Sequence, residues 1–543
     1  MRDVIPALLL LAVTATAQHQ HSSPKVSPGQ LMPGFGEINH PVTTTSAEAQ
    51  KFFNQGLALI YGFNHDEAYK SFKRASELDP QMAMAHWGMA ITLGANINLP
   101  SVPEREKSAY DAIQKALSLA SKASPPEKDY IAALATRYSS DPNADLKKLS
   151  VDYKNAMGEL ARKYPDDLDA ATIYAESMMN LRPWQLWTKD GKPAEGTEEI
   201  VATLESVLKR DPNHLGANHY YIHAVEASRN PERALPSASR LEKLAPASGH
   251  LVHMPAHIYI QTGDFDASAR SNSEAALADE VYIRGTGATG IYPAMYYSHN
   301  LHFLLESHNR AGRFLAARRA AARLEANVQR HISQMAMLEA FLPSSVFVLA
   351  YFNQWDEMLR MPAPDARFAT AKAFWRYGRV LAFAARGKLD EAEKERQAFE
   401  DLKNQIPEDA PWGTTNATRH VLNVASVALD ARLARSKRDA KAEIEAWKKA
   451  VEMEDLLNYD EPPAWYYPVR QSLGGALLRA GRSEEAEEVF RAAVERSPRN
   501  GRLLFGLVES LKAQNKRQAA ALVQKQFLEA WKRADTKLRI EDL

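Results

Sequence analysis

Between Gln55 and Pro80 the chain reads QGLALIYGFNHDEAYKSFKRASELDP. In a 34-residue frame starting at Ala49, Gly56, Ala68, Phe72, Ala75 and Pro80 fall at places 8, 20, 24, 27 and 32. Apolar residues step by three and four on both sides of a short polar turn, the spacing of two amphipathic helices. Small residues at facing positions let the helices approach closely, and the proline stops the second one. Near the other end, Gly474, Gly481, Ala486, Phe490, Ala493 and Pro498 take the same kind of places in a frame starting at Tyr467. One such hairpin cannot cover its own apolar side, so copies must stack.

These residues resemble the tetratricopeptide repeat (TPR). The resemblance implies an all-α fold, a right-handed TPR-type α-solenoid, and the chain has room for about twelve helix pairs. It also implies that the first helices of successive pairs line a concave, ligand-binding surface. With NHYYIHAVEAS at 218–228, GHLVHMPAHIYIQTGDF at 249–265 and YYSHNLHFLLE at 296–306, the chain is similar to exported bacterial TPR proteins with a histidine-rich central segment, a resemblance that implies no particular reaction. The expected divisions are a signal peptide at 1–17, a flexible leader at 18–45, TPR-like pairs at 46–212, histidine-rich units at 213–334 and further TPR-like units at 335–543.

Composition narrows the classes. Acidic and basic residues number 67 each, for a formal charge of zero, which argues against nucleic acid as a partner. Cysteine is absent, so disulfides and thiolate metal sites are excluded. Val4 to Val13 is mostly apolar and Ala15-Thr16-Ala17 fits an A-x-A cleavage site, which predicts export, to the periplasm or as a secreted protein. No other stretch has the length of a transmembrane helix. Residues 18–45 are rich in Ser, Pro, Gly and His without a period.

Histidine is concentrated in the middle. Nine of the sixteen histidines lie between His214 and His308. His219 and His223 stand four apart, as do His253 and His257, and the second pair follows the first by 34 residues, one repeat. Frames can be started at Leu215, at Gly249 and, after an insertion from about Val281, near Ser298. His219, His253 and His302 then share the fifth place, His223, His257 and Glu306 the ninth, and His250 and His299 the second. Steps of three and four put these places on one helix face, about a third of a turn from apolar Ile222, Ala256 and Leu305. The expectation is a ladder of imidazoles with one carboxylate inside the solenoid. Pro255 removes a helical hydrogen bond between His253 and His257 and predicts a kink or a late start. Duplication of a unit also copies its histidines, so register alone does not separate a site from an inheritance.

Two kinds of function fit, the first as the expected overall role and the second as its alternative. As a scaffold, the concave groove holds a peptide or protein partner, with the histidines supplying hydrogen bonds and pH sensitivity. This is the usual employment of such repeats. As a metal protein, the chain offers His219, His223, His253 and His257 as ligands, with His250, His299 and His302 beside them. Imidazole suits zinc and copper, and histidines four apart on a helix chelate one ion. Glu306 is then the candidate catalytic base next to a metal-bound water, for a hydrolase or an oxidase; a periplasmic metal carrier would need no catalysis. Neither H-E-x-x-H nor a phosphate-binding G-x-x-x-x-G-K-[ST] occurs, so no reaction class follows.

Overall fold

The computed structural model describes residues 29–543. The expected signal peptide and the first part of the expected leader lie outside them. Among the described residues the chain forms twelve successive helix pairs, from Ala47–Tyr61 with His65–Leu78 to Gly501–Ala513 with Arg517–Ala530. The fold is an all-α solenoid of TPR type. Its small departure from that class is a two-residue antiparallel ladder, Pro411–Trp412 with Asn416–Ala417.

The glycine and phenylalanine places of the repeat are two sides of one contact. Phe72 is fully buried between Gly56 of its own pair and Gly88 of the next. A Cβ at those glycines would lie 2.6 and 2.2 Å from its ring, so only hydrogen fits. Phe490 is held the same way by Gly474 and Gly506, at 2.5 and 2.1 Å. Burying such a ring contributes about 3 kcal/mol and locks each pair to its successor.

The array folds back on itself. Tyr61, at the end of the first helix, packs edge-on against His214 and Tyr220 and lies against Gly216, which brings the first pair onto the fifth. Further along, Arg310 donates to Ser497 at 3.0 Å and Arg502 to the Tyr351 carbonyl at 2.7 Å. Two large apolar cores result, one mostly from residues before 297 and the other mostly from residues after 303.

Residues 29–45 were expected as part of a flexible leader. In the structure they carry no helix or strand and lie as a strap against the N-terminal pairs. Met32 donates to Gln55, Ala247 donates to the Gly34 carbonyl, Phe35 is buried, and Thr43 gives both its backbone and hydroxyl protons to Glu127. His40 bonds Asp169 at 2.7 Å. Composition shows that such a segment lacks periodic structure of its own; it does not show that a groove will hold it.

Candidate metal centre

Five histidines meet where the fifth and sixth pairs touch the turn of the first. His219 and His223 come from Leu215–Val225, His250 and His253 from Gly249–His253, and His257 from Pro255–Thr262. The helix does break at Pro255. Met254 still bonds back to the His250 carbonyl, and His257 makes a shortened bond to Met254. The break leaves both rings on one side, with His253 Nε2 2.8 Å from His257 Nε2. His299, from Tyr297–Arg310, joins them with its ring 4.7 Å from that of His253.

The third unit does not repeat the ladder. His302 turns away and packs edge-on against Phe341. Glu306 pairs with Arg310 at 2.6 Å and receives Asn309, apart from the histidines. Facing inward instead are His299 and Phe303, the latter 4.7 Å from His253 and 4.6 Å from His257. A π-helical turn at Tyr292–Tyr296 leads into this helix.

Nor are the histidines an open groove surface. His219, His253 and His257 are fully buried, and His250 and His223 nearly so. Phe63, held at φ 54° in the first turn, stacks on His223 and His250 and meets His219 edge-on. Tyr296 closes the other side against His250.

Acceptors around the cluster set the tautomers. The Tyr61 carbonyl, which can only accept, lies 2.6 Å from His219 Nδ1. Asn272 donates its own NH2 to Ser268, so its oxygen faces His253 Nδ1 at 2.7 Å. Glu226 Oε1 lies 3.0 Å from His223 Nδ1. These acceptors favour the proton on Nδ1 of all three rings and turn each Nε2 lone pair into the cluster, the arrangement that outer acceptors impose on metal-bound histidines. Facing these lone pairs are further nitrogens: His219 Nε2 lies 3.1 Å from His250 Nε2. His223 Nε2 and His250 Nδ1 are buried without partners, which is costly unless something supplies one.

Burial favours the neutral ring at most of these positions. It pushes His223 down to about 3, and His219, His250, His253 and His299 are held well below the usual imidazole range by burial and by one another. A neutral imidazole is the form that binds metal. Two histidine triads, His219, His223 and His250, and His253, His257 and His299, each have donor atoms within 4.8 Å of one another, as do His223 and His257 with Glu226. Burial opposes charge on His257 too, but Glu461 and Glu226 beside it outweigh that and raise it to about 10.

Two carboxylates therefore belong to the centre that the sequence reading did not select. Glu226 lies three residues after His223 on the same face, a spacing that would have found it. Glu461 arrives from far along the chain beside Pro462. A narrow pocket reaches His223 and Glu226 from outside, between Trp184, Trp187 and Tyr459, with room for about one water molecule. Both indoles are pinned, Trp184 to the Ile97 carbonyl and Trp187 to that of Ala224. Trp184 sits at φ 62°, a conformation that costs about 1–2 kcal/mol for a residue with a side chain.

Residues 467–500 match the family model for the tetratricopeptide repeat. No curated protein matches the chain. Among solved structures, the chain is similar to a human IFIT1 dimer with m7Gppp-AAAA (13% identity, 90% of this chain and 91% of that one, TM-score 0.31). It is similar also to yeast Tom70 (11% identity, 89% and 90%, TM-score 0.30) and to the TPR domain of P58(IPK) (12% identity, 87% and 99%, TM-score 0.21).

Proposed function

We propose that this tetratricopeptide-repeat protein is a metal-binding protein, in which the repeat array buries an imidazole centre for a transition-metal ion. The observation that carries the reading is the set of outer acceptors. They turn the Nε2 lone pairs of His219, His223 and His253 into a dry cluster where other nitrogens stand unpartnered. Hydrogen-bonding histidines that served a peptide would face the solvent, and these do not. Zinc or copper suits neutral imidazoles, and His219, His223, His250, His253 and His299 are the ligand set, joined by His257 once it gives up the proton that Glu461 and Glu226 hold on it. The pocket beneath Trp184 gives water a route to the centre. Catalysis, if metal-bound water is used, would draw on Glu226 rather than Glu306, because Glu226 lies beside the histidines and the pocket while Glu306 is paired with Arg310.

The second reading is a protein-interaction scaffold, supported by the fold itself, since repeats of this type bind protein partners. In the N-terminal half a partner in the inner groove would meet the strap of residues 29–45. The leader at 1–17 supports export to the periplasm or the exterior, and no helix among the described residues is long and apolar enough to cross a membrane.

The deciding experiment is metal analysis by plasma mass spectrometry on untagged protein purified without chelator. The comparison is a variant carrying His219→Ala, His223→Ala, His253→Ala and His257→Ala. Stoichiometric metal that the variant lacks supports the reading. Protein that stays metal-free after incubation with zinc and copper overturns it and leaves the scaffold.

A further inference from the structure

Behind the imidazole cluster lies a second set of donors. Nδ1 of His257 points away from His253, and Glu226 Oε2 lies 2.6 Å from it. Glu461 Oε2 touches the same nitrogen. The three side chains are at most 3% exposed, and none of these three atoms has a hydrogen bond of proper geometry. Two carboxylates side by side in a dry site repel each other unless a cation stands between them. We propose that Glu226, Glu461 and His257 form a second cation site, of mixed carboxylate and imidazole character, for a divalent ion such as zinc, manganese or iron(II). The proposal rests on the metal reading above in sharing His257, and it adds a different class of donor and a different origin for one ligand.

That origin gives the site a structural consequence. Glu226 and His257 belong to the fifth and sixth pairs. Glu461 lies on the segment leading into the eleventh pair, Arg470–Arg479 with Ser483–Arg496. Gln261 receives this segment, donating to Tyr459 at 3.3 Å and to Glu461 Oε1 at 3.2 Å. Lys189 grips the Leu456 carbonyl, and Asn416 bonds Asn458 on the other side. The site is complete only when residues 456–461 are seated. An ion held there ties the segment, and with it the C-terminal core, to the N-terminal one.

The test titrates zinc into chelator-stripped protein and counts bound ions after desalting, with hydrogen exchange followed over residues 456–463. Glu461→Gln preserves shape and the bond from Gln261. The wild type is expected to hold one equivalent more than Glu461→Gln, and zinc is expected to slow exchange at 456–463 in the wild type alone. His219→Ala with His250→Ala should lose the imidazole-bound ion and keep the zinc effect on 456–463. A Glu461→Gln protein that binds as much zinc as the wild type overturns the proposal and leaves Glu461 as an ion-pair partner of His257. If that variant does not fold, wild-type exchange decides: no zinc-dependent protection at 456–463 overturns it. Absence of any zinc in the wild type sinks this site and the imidazole centre together. Zinc abolished by the histidine changes but untouched by Glu461→Gln sinks this site alone.

Discussion

Place 24 of the repeat holds phenylalanine at both ends of the molecule and asparagine in the sixth pair. Phe72 and Phe490 each fill the gap between two glycines. Asn272, equally buried, gives its oxygen to His253. The backbone solves the same packing problem in each case. At the ends, apolar volume is spent on locking neighbours together. In the middle, a core position is given to a polar group that holds the ring of His253. A buried amide in place of a ring is a departure from local packing logic, and such departures concentrate where function is.

The comparison can be broken in four places. The largest effect belongs to the end contacts: Phe490→Ala should cost about 3–5 kcal/mol, read from denaturant unfolding, with metal content of the folded fraction unchanged. A loss under 1 kcal/mol would mean that the glycine–phenylalanine contact does not secure the array. Asn272→Leu should do the converse, weakening zinc about 10–100-fold by isothermal titration while leaving the apoprotein melting temperature within a few degrees. Equal zinc affinity would remove Asn272 from the site. Chelation should come next: stripping the metal should speed hydrogen exchange in Leu215–Val225 and Pro255–Thr262 and leave Ser483–Arg496 unaltered, whereas a uniform change would deny that the two regions differ.

The smallest effect concerns the strap. Burial opposes charge on His40, but Asp169, with Asp167 and Glu127 nearby, raises it overall. A raised histidine contributes stability that is full below its ordinary value of 6.5 and is lost as pH rises through the folded value. Asp169 is shifted the other way: burial works against its charge, and His214 and His40 outweigh that. Its contribution is present above about pH 4 and lost as pH falls through the lowered folded value. Protection of residues 29–45 in hydrogen exchange should therefore decline modestly between pH 6 and pH 9. His40→Gln should flatten that profile, and an unchanged profile would show that another contact holds the strap.

What could be read from the sequence was what is encoded locally. Gly56, Phe72 and Pro80 mark volume and chain direction within one unit, so the repeat was legible from them. The spacing of His219, His223, His253 and His257 encodes a shared face, and the structure keeps it. Solvent exposure of that face was not legible, because it depends on Phe63 and Tyr61 arriving from another pair. His302 and Glu306 lie off the cluster because the inward places of this helix fall to His299 and Phe303, and an insertion of irregular length before it leaves no periodic trace of that shift. Glu461 meets Gln261 across 200 residues, and no spacing rule spans that distance.

The strap of residues 29–45 has a consequence for any search for binding partners. It is tethered to the surface it covers, so it meets that surface at an effective concentration on the order of millimolar. A free peptide reaching for the same surface must compete with it, and its apparent affinity is reduced by the fraction of molecules in which that surface is vacant. Partners of the N-terminal half would therefore be found by displacement, with the strap's release as the signal.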